Sequence, residues 1–216
     1  MRNLIFLLVG GAGLMFIVYQ IVKFFFSISN PKSRVEKDRK YGLIKLRELA
    51  DDLIPLDNNE LSLLSLKRRA APSRKTFHSE EFGFLETIYN EHLVAYYLYD
   101  YLDDRKLLLT ENSMMDVELY KENDVTNIWQ NGKLVYQIDQ LGRLSSMQNS
   151  RILASISWGV QQNYHTISIK GEVRAHLTNL EDDLIEQQRA YPIIELVDDE
   201  DSSIIYCLTM YHLFLR

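Results

Sequence analysis

The hydrophobic positions of the 216-residue chain form four successive patterns. A continuous apolar run comes first, and two segments with apolar residues at helical spacing follow it. A long region of short alternating runs comes next, and a second continuous apolar run completes the sequence. Continuous runs are typical of helices enclosed on all sides, whereas alternation with a period of two is typical of strands with one buried face. The pattern predicts a mainly β protein with an apolar helix at either end.

The alternating region begins at Phe84 and is rich in Val, Ile, Tyr and Thr, with Asn, Gly and Asp between the runs. This spacing predicts an antiparallel β-barrel or sandwich. Asn131-Gly132 is a type I′ hairpin signal, because both central positions tolerate positive φ. Lys170-Gly171 predicts a second hairpin. The predicted strands are 84–88, 92–101, 107–110, 116–120, 126–130, 133–138, 152–158, 165–170, 172–178 and 193–197.

The first apolar run, residues 4–22, contains Gln20 as its only strongly polar residue. With its continuation to Phe26, it is long enough as a helix to cross a hydrocarbon core of about 30 Å. More Lys and Arg follow the run than precede it, so the positive-inside rule predicts an outside N-terminus and a cytoplasmic C-terminal domain. A cleaved signal peptide is the alternative, since Ser27 and Ser29 are small residues at the spacing of a cleavage site.

The two segments at helical spacing form a predicted neck at residues 30–76. Ser33-Arg34-Val35-Glu36 matches a capping box, so a helix is expected to begin there, and Pro55 ends it. A second helix is predicted from Asn58 to Arg69, with a cap at Asp57 or Asn58. The apolar stripe of the first helix consists of Leu43, Leu46, Leu49, Ala50 and Leu53.

The final apolar run, residues 203–216, follows an acidic stretch that suits a helix N-terminus. As a helix it would span only about 20 Å, which is too short for a second membrane anchor. Apolar residues lie nearly all round this helix. We therefore expect a hydrophobic helix over residues 202–216, buried inside the β domain.

Charge divides the chain unevenly, although its net charge is only −6. Residues 23–75 contain 13 Lys or Arg and 7 Asp or Glu, whereas residues 76–216 contain 10 and 23. The predicted organisation is therefore a transmembrane anchor at 1–29, a basic helical neck at 30–76 and an acidic β-rich domain at 77–216. An acidic domain repels nucleic acid, whereas a basic neck attracts anionic lipid. The candidate lipid-contacting residues are Lys32, Arg34, Lys67, Arg68, Arg69, Arg74 and Lys75.

Motifs that carry chemistry are missing from the sequence: no phosphate-binding Gly-rich loop, HExxH pair or nucleophile elbow occurs. The single cysteine, Cys207, excludes an intramolecular disulfide and a Cys-rich zinc site. His165 and His176 could meet across the Lys170-Gly171 hairpin, but no further ligand joins them. The acidic runs at 181–183 and 198–201 lack calcium-loop spacing and predict solvated turns. We expect no catalytic, cofactor-binding or metal-binding residues.

The order of elements from Phe84 to Arg216 resembles that of the tubby-like and phospholipid-scramblase-like barrels, in which a closed sheet wraps a hydrophobic C-terminal helix. The hairpins at Asn131-Gly132 and Leu141-Gly142 are part of this resemblance. It implies recognition of lipid at a membrane surface, or lipid movement. The chain departs from scramblases because its apolar anchor comes first and no Cys-rich segment is available for acylation.

The sequence as a whole predicts a membrane-anchored cytoplasmic binding or scaffold module. Such a module would be a subunit of a membrane-associated assembly, with a protein partner or further copies of itself. An anionic-lipid-binding or lipid-handling protein is the alternative. An enzyme is the least supported hypothesis, because no nucleophile and base, and no metal ligands, can be identified together.

Overall fold

The computed structural model describes residues 31–70, 79–101, 104–157, 164–179, 189–195 and 198–216, together with Met15, Phe16, Val18 and Tyr19. The chain divides into two compact units, Met1–Lys40 and Tyr41–Arg216. The larger unit contains the whole β-sheet and also residues 41–70 of the predicted neck.

Three α-helices and twelve strands are defined in the described residues from Pro31 onward. The helices are α1 (Pro31–Leu49), α2 (Asn58–Ser62) and α3 (Asp199–Phe214), and a 3₁₀ helix at Ala50–Asp52 follows α1. The strands are β1 (Leu64–Ala70), β2 (Ser79–Thr87), β3 (His92–Asp100), β4 (Lys106–Glu111), β5 (Asp116–Glu122), β6 (Val125–Gln130), β7 (Lys133–Ile138), β8 (Arg143–Ser146), β9 (Ile152–Ser157), β10 (Tyr164–Ile169), β11 (Glu172–Thr178) and β12 (Ile193–Ile194).

The strands form one antiparallel sheet in which each pairs with the next along the chain, from β1 to β12. Two of the turns between neighbouring strands are the predicted hairpins. Asn131 and Gly132, between β6 and β7, have φ values of 49° and 76°. Lys170 and Gly171, between β10 and β11, have φ values of 53° and 90°. Both hairpin predictions, and the mainly β fold class, are confirmed.

Backbone hydrogen bonds at Ala190 link the two ends of the meander. The Ala190 N–H donates to the Leu64 carbonyl at 2.7 Å, and the Thr178 N–H donates to the Ala190 carbonyl at 2.9 Å. Arg189 also forms a β-bridge with Ser65. Because Leu64 belongs to β1 and Thr178 to β11, this short segment closes the sheet on itself.

Helix α3 lies inside the closed sheet. Thirteen of its sixteen residues are buried, so no side of it is left as a solvent face. It begins at Asp199, three residues before the predicted start at residue 202. The acidic run supplies its cap, since the Asp198 carboxylate accepts a hydrogen bond from the Asp201 N–H at 2.7 Å. Strands from around the sheet contact the helix: the Tyr206 hydroxyl donates to Thr110 of β4 at 2.9 Å. The expectation of a buried C-terminal helix is confirmed.

The second half of α1 packs against the outer face of β3 and β4. A Cβ atom built on Gly42 would lie 2.5 Å from Tyr97 Cδ1 and 2.7 Å from Leu109 Cδ1, so this approach requires glycine. Tyr41 adds an edge-to-face contact with Tyr97, and Leu46 is buried. The sheet is therefore covered on part of its outer side as well as filled on its inner side.

The structure corrects the predicted second helix at residues 58–69. Helix α2 ends at Ser62, and the residues from Leu64 to Ala70 form strand β1, paired with β2. Leu61 and Leu64 have helical spacing, but Leu64 and Leu66 also have the two-residue spacing of a strand, and pairing with β2 determines the outcome. Of the two predicted caps, Asp57 and Asn58, the cap is Asp57, since its carboxylate accepts from the Glu60 N–H at 2.8 Å. Strand β8 was not predicted from the sequence.

The predicted anchor at residues 4–22 lies almost wholly outside the described residues, of which it includes Met15, Phe16, Val18 and Tyr19. Among the helices of the described residues, none combines the length and the apolar character needed to cross a membrane.

Candidate functional site

The seven basic residues proposed from sequence fall in three places. Lys32 and Arg34 lie on the first part of α1, where Lys32 is exposed and Arg34 forms an ion pair with Asp38 at 3.9 Å. Arg74 and Lys75 lie outside the described residues. The remaining three, Lys67, Arg68 and Arg69, are consecutive on β1 instead of at the end of a helix. Strand β1 is therefore the element on which a candidate site can be built.

The three consecutive cations of β1 do not share one surface, because successive side chains of a strand point to opposite faces. Arg68 points inward and contacts the last turn of α3. Lys67 and Arg69 point outward, and their side chains are 39% and 67% exposed. Only two of the three can therefore meet a ligand at the outer surface.

Lys67 and Arg69 are both within ion-pair distance of Glu86, on the neighbouring strand β2. Lys67 Nζ lies 3.1 Å from Glu86 Oε2, and Arg69 Nη1 lies 3.6 Å from Glu86 Oε1. The Glu86 side chain is 0% exposed. His92, its cross-strand neighbour on β3, places Nε2 3.6 Å from Oε1 and stacks on Phe84 with ring centroids 3.9 Å apart. A buried carboxylate thus lies beneath two exposed cations. We call Lys67, Arg69, Glu86 and His92 the outer ion cluster.

Two cations, Arg68 and Lys121, bind carbonyl groups at the C-terminal end of α3. The Arg68 guanidinium donates to the Leu213 carbonyl and lies 4.3 Å from the centre of the Phe214 ring. Burial lowers the pKa of Arg68. Lys121 of β5 donates to the Leu215 carbonyl at 2.8 Å. Since the last carbonyls of a helix carry partial negative charge, these cations stabilise the helix end.

The opposite end of α3 is acidic, and it is less solvated than the sequence suggested. Asp201, in the first turn, has a side chain only 5% exposed. Its carboxylate lies 3.7 Å from Arg174 Nε and 4.0 Å from Lys170 Nζ. The prediction that the 198–201 run is a solvated turn is therefore wrong for Asp201, which forms a buried ion pair beside the helix N-terminus.

The reactive side chains of α3 are held in the interior. Cys207 is fully buried, and burial raises the pKa of its thiol to about 12. His212 is 2% exposed; burial, together with the nearby His165, Arg216 and Arg68, lowers the pKa of its imidazole to about 3. The thiol and this imidazole are therefore both neutral near neutral pH, and the thiolate that would act as a nucleophile is suppressed.

Several other polar groups of the interior form hydrogen bonds within the helix or between the helix and its surroundings. Gln130 of β6 donates to the Ser203 hydroxyl at 2.6 Å. Thr209 donates to the Ile205 carbonyl at 2.8 Å, so the Tyr191 hydroxyl, 2.5 Å from Thr209 Oγ1, is the donor in that pair. Burial raises the pKa of both Tyr191 and Tyr206. These bonds satisfy buried polar atoms, and they also fix the position of the helix.

His165 and His176 do not meet across the β10–β11 hairpin. His165 is buried against His212, with ring centroids 4.7 Å apart, whereas His176 contacts Tyr164 on the other face of the sheet. Their register partners are Leu177 and Thr166, respectively. Within the described residues, no group of three or more His, Cys, Asp or Glu is arranged to hold a metal ion.

Several residues of these clusters were missed by the sequence analysis, and Glu86 is the clearest case. The available signal was the β2–β3 hairpin, because an acidic residue directly opposite His92 is a favourable cross-strand pair. Recognising this pair requires knowledge of the hairpin register, and the register depends on a bulge between Leu85 and Glu86. The burial of Glu86 and Asp201 cannot be predicted from the residues that surround them in the sequence.

Comparisons of the chain with protein-family models, with curated proteins and with solved structures found no match.

Proposed function

We propose that the protein is a membrane-anchored binding or scaffold module that acts through the outer surface of its closed sheet. The observation that carries the proposal is the position of α3, which fills the interior and holds Cys207 and His212 there in neutral form. This arrangement supports a role as a binding module, because contact with a partner needs only the outer surface. The apolar run at residues 4–22 supports a single-pass anchor, and the flanking charges support a cytoplasmic domain.

Apolar side chains on the outer face of β6 to β9 support a protein partner. Leu134 and Ile152 are 39% and 52% exposed, and Met147, which is 42% exposed, is bonded to β7 through its backbone. Trp129 of β6 is the register partner of Leu134 and is half-buried. Exposed apolar residues grouped with an aromatic residue are typical of protein-binding surfaces. We call Trp129, Leu134, Met147 and Ile152 the outer patch.

The proposed family is that of the tubby-like and scramblase-like barrels. Two features support it: the antiparallel meander joined at Ala190, and the apolar C-terminal helix enclosed by it. The proposal concerns architecture, and no functional residue is transferred with it.

Site-specific photocrosslinking in native membranes tests the proposed function. A photoreactive phenylalanine analogue would replace Leu134 or Ile152 in the full chain, with Tyr89, exposed on the β2–β3 turn, as the matched control. We expect the full chain to sediment with membranes and to remain there after alkaline carbonate washing. We also expect one discrete crosslinked product from the two patch positions and none from position 89. Equal labelling at all three positions, or release of the chain by carbonate, would contradict the proposal.

A second candidate function is binding of anionic lipid, and the exposure of Lys67 and Arg69 on one face of β1 favours it. Each basic residue near an anionic surface contributes about 1 kcal/mol. The test is calorimetric titration of the full chain in neutral detergent with water-soluble phosphatidylglycerol or phosphatidylcholine, at low and high salt. We expect preference for the anionic lipid at low salt only, and indifference to headgroup charge would remove this candidate.

A further inference from the structure

The outer ion cluster contains a mismatch between burial and charge. Glu86 is 0% exposed, yet the cations that neutralise it, Lys67 and Arg69, have 39% and 67% of their side-chain surface in solvent. Lys67 Nζ also donates to Asn90 Oδ1 at 2.8 Å. An anion from solution therefore meets two cations that already have an internal anion beneath them.

We propose that Glu86 acts as an internal counter-anion that holds Lys67 and Arg69 in an autoinhibitory contact and weakens their binding of a phosphate-bearing ligand. This inference rests on the second proposed function, anionic-lipid binding, and adds to it the residue that limits its strength. The shared ligand chemistry is a phosphate group, which a lipid headgroup or free inorganic phosphate could present.

The backbone around Glu86 is fixed, so the cations are the groups that can move. The Ser65 hydroxyl donates to the Glu86 carbonyl at 2.8 Å from β1, and Glu86 pairs in register with His92 of β3. Lysine and arginine side chains rotate readily when half exposed, whereas a carboxylate buried between two strands does not. A ligand must therefore draw the cations away from Glu86, which would leave a buried carboxylate with less neutralisation.

The net charge of the outer ion cluster determines how strongly Glu86 should weaken the binding of an anionic ligand. Two cations and one carboxylate leave a net charge of +1 when His92 is neutral. Glu86→Gln raises that charge to +2 and keeps the size of the side chain. One extra positive charge near an anionic headgroup corresponds to about a fivefold gain in affinity.

The test compares parent, Glu86→Gln and Glu91→Gln full chains in neutral detergent, each titrated with water-soluble phosphatidylglycerol and, separately, with inorganic phosphate. Glu91 is a matched control because it is an exposed carboxylate in the same β2–β3 hairpin. We expect Glu86→Gln to bind phosphatidylglycerol about fivefold more tightly than the parent at low salt. Glu91→Gln should change the affinity less. A gain with phosphatidylglycerol alone identifies a lipid headgroup as the ligand, and an equal gain with inorganic phosphate identifies the phosphate group itself.

Lys67→Gln provides a second test that does not depend on the folding of Glu86→Gln. In Lys67→Gln the remaining Arg69 charge is cancelled by Glu86, so preference for the anionic lipid should disappear. If Lys67→Gln retains half or more of the preference, Glu86 does not hold these cations and the inference is overturned. The inference also fails if Glu86→Gln and the parent bind equally, or if neither binds. A parent that prefers anionic lipid without a gain in Glu86→Gln overturns this inference alone and leaves lipid binding standing.

Discussion

Arg68 and Arg69 are consecutive residues of β1, and the sheet gives them opposite surroundings. Arg68 lies inside, donating to the Leu213 carbonyl and covering the Phe214 ring. Arg69 lies outside, 67% exposed and 3.6 Å from Glu86. The inner arginine stabilises the end of the central helix, whereas the outer one is available to a partner. Basic residues that are consecutive in sequence are thus divided between the two faces of the sheet when they form a strand.

The same contrast holds between the two sides of the whole sheet. Inside, α3 brings the only cysteine of the chain and a buried histidine pair into positions fixed by hydrogen bonds and packing. Outside lie the ion cluster around Glu86 and the outer patch around Leu134. We infer that the inner side provides stability and that the outer side provides recognition.

The largest difference in stability is expected between a charge placed on the inner side of the sheet and one placed on the outer side. Leu208 is 0% exposed, so Leu208→Asp would bury a carboxylate without a partner, at a cost of about 5 kcal/mol or more. We expect this variant to lose its near-UV circular dichroism and cooperative melting. Ile152→Asp, at a position 52% exposed, should melt like the parent. A cooperatively folded Leu208→Asp domain would mean that the helix is peripheral.

The two arginines provide a finer comparison. Arg68→Met removes a charged hydrogen bond and a ring contact while retaining apolar packing, and should destabilise the domain by about 2–3 kcal/mol. Arg69→Met should change the free energy of unfolding by less than about 1 kcal/mol, because the Arg69 side chain is 67% exposed and Lys67 still lies 3.1 Å from Glu86 when Arg69 is removed. Urea unfolding of both variants measures the difference. Equal losses would show that Arg68 does not support the helix end.

The pH dependence of stability should report the buried His212. Its pKa is about 3 in the folded protein and about 6.5 when unfolded, so protonation favours the unfolded chain. The contribution of His212 to the free energy of unfolding should therefore be fully present above about pH 6.5. It should fall by about 1.4 kcal/mol per pH unit between about pH 6.5 and about pH 3.

His212→Gln removes this titration and leaves the other ionisable groups in place. Between about pH 7.5 and about pH 5, the free energy of unfolding of the parent should fall by about 2 kcal/mol more than that of the variant. Parallel pH curves for the two proteins would contradict the burial of His212.

Residue patterns predicted most of this fold because the relevant signals are local. Asn131-Gly132 and Lys170-Gly171 mark hairpins whose positive φ values the structure shows. The predicted strand at 133–138 has the bounds of β7, and residues 172–178 have those of β11. The C-terminal helix was predicted buried because its apolar residues lie on all sides and no membrane-length span is available. These inferences needed only periodicity, turn chemistry and length.

The candidate site was predicted less well because it depends on register and on distant pairing. Residues 64–70 read as the end of a helix, since helical and strand spacings both fit Leu61, Leu64 and Leu66; pairing with β2 makes the segment a strand. That change of element sends Arg68 inward and Lys67 outward. The burial of Glu86 and the link at Ala190 arise from strands that meet only after folding, so no short window of sequence contains them.

The reactivity of Cys207 tests most directly the central claim that the C-terminal helix is enclosed by the sheet. The chain has a single cysteine, so a maleimide reports one site. With a thiol that is fully buried and a pKa of about 12, labelling of the native full chain at about pH 7.5 should be at least about a thousandfold slower than labelling of Ile152→Cys in a Cys207→Ala background. In urea the two rates should become similar. Rapid labelling of Cys207 in the native protein would contradict the account, because the helix would then be open to solvent.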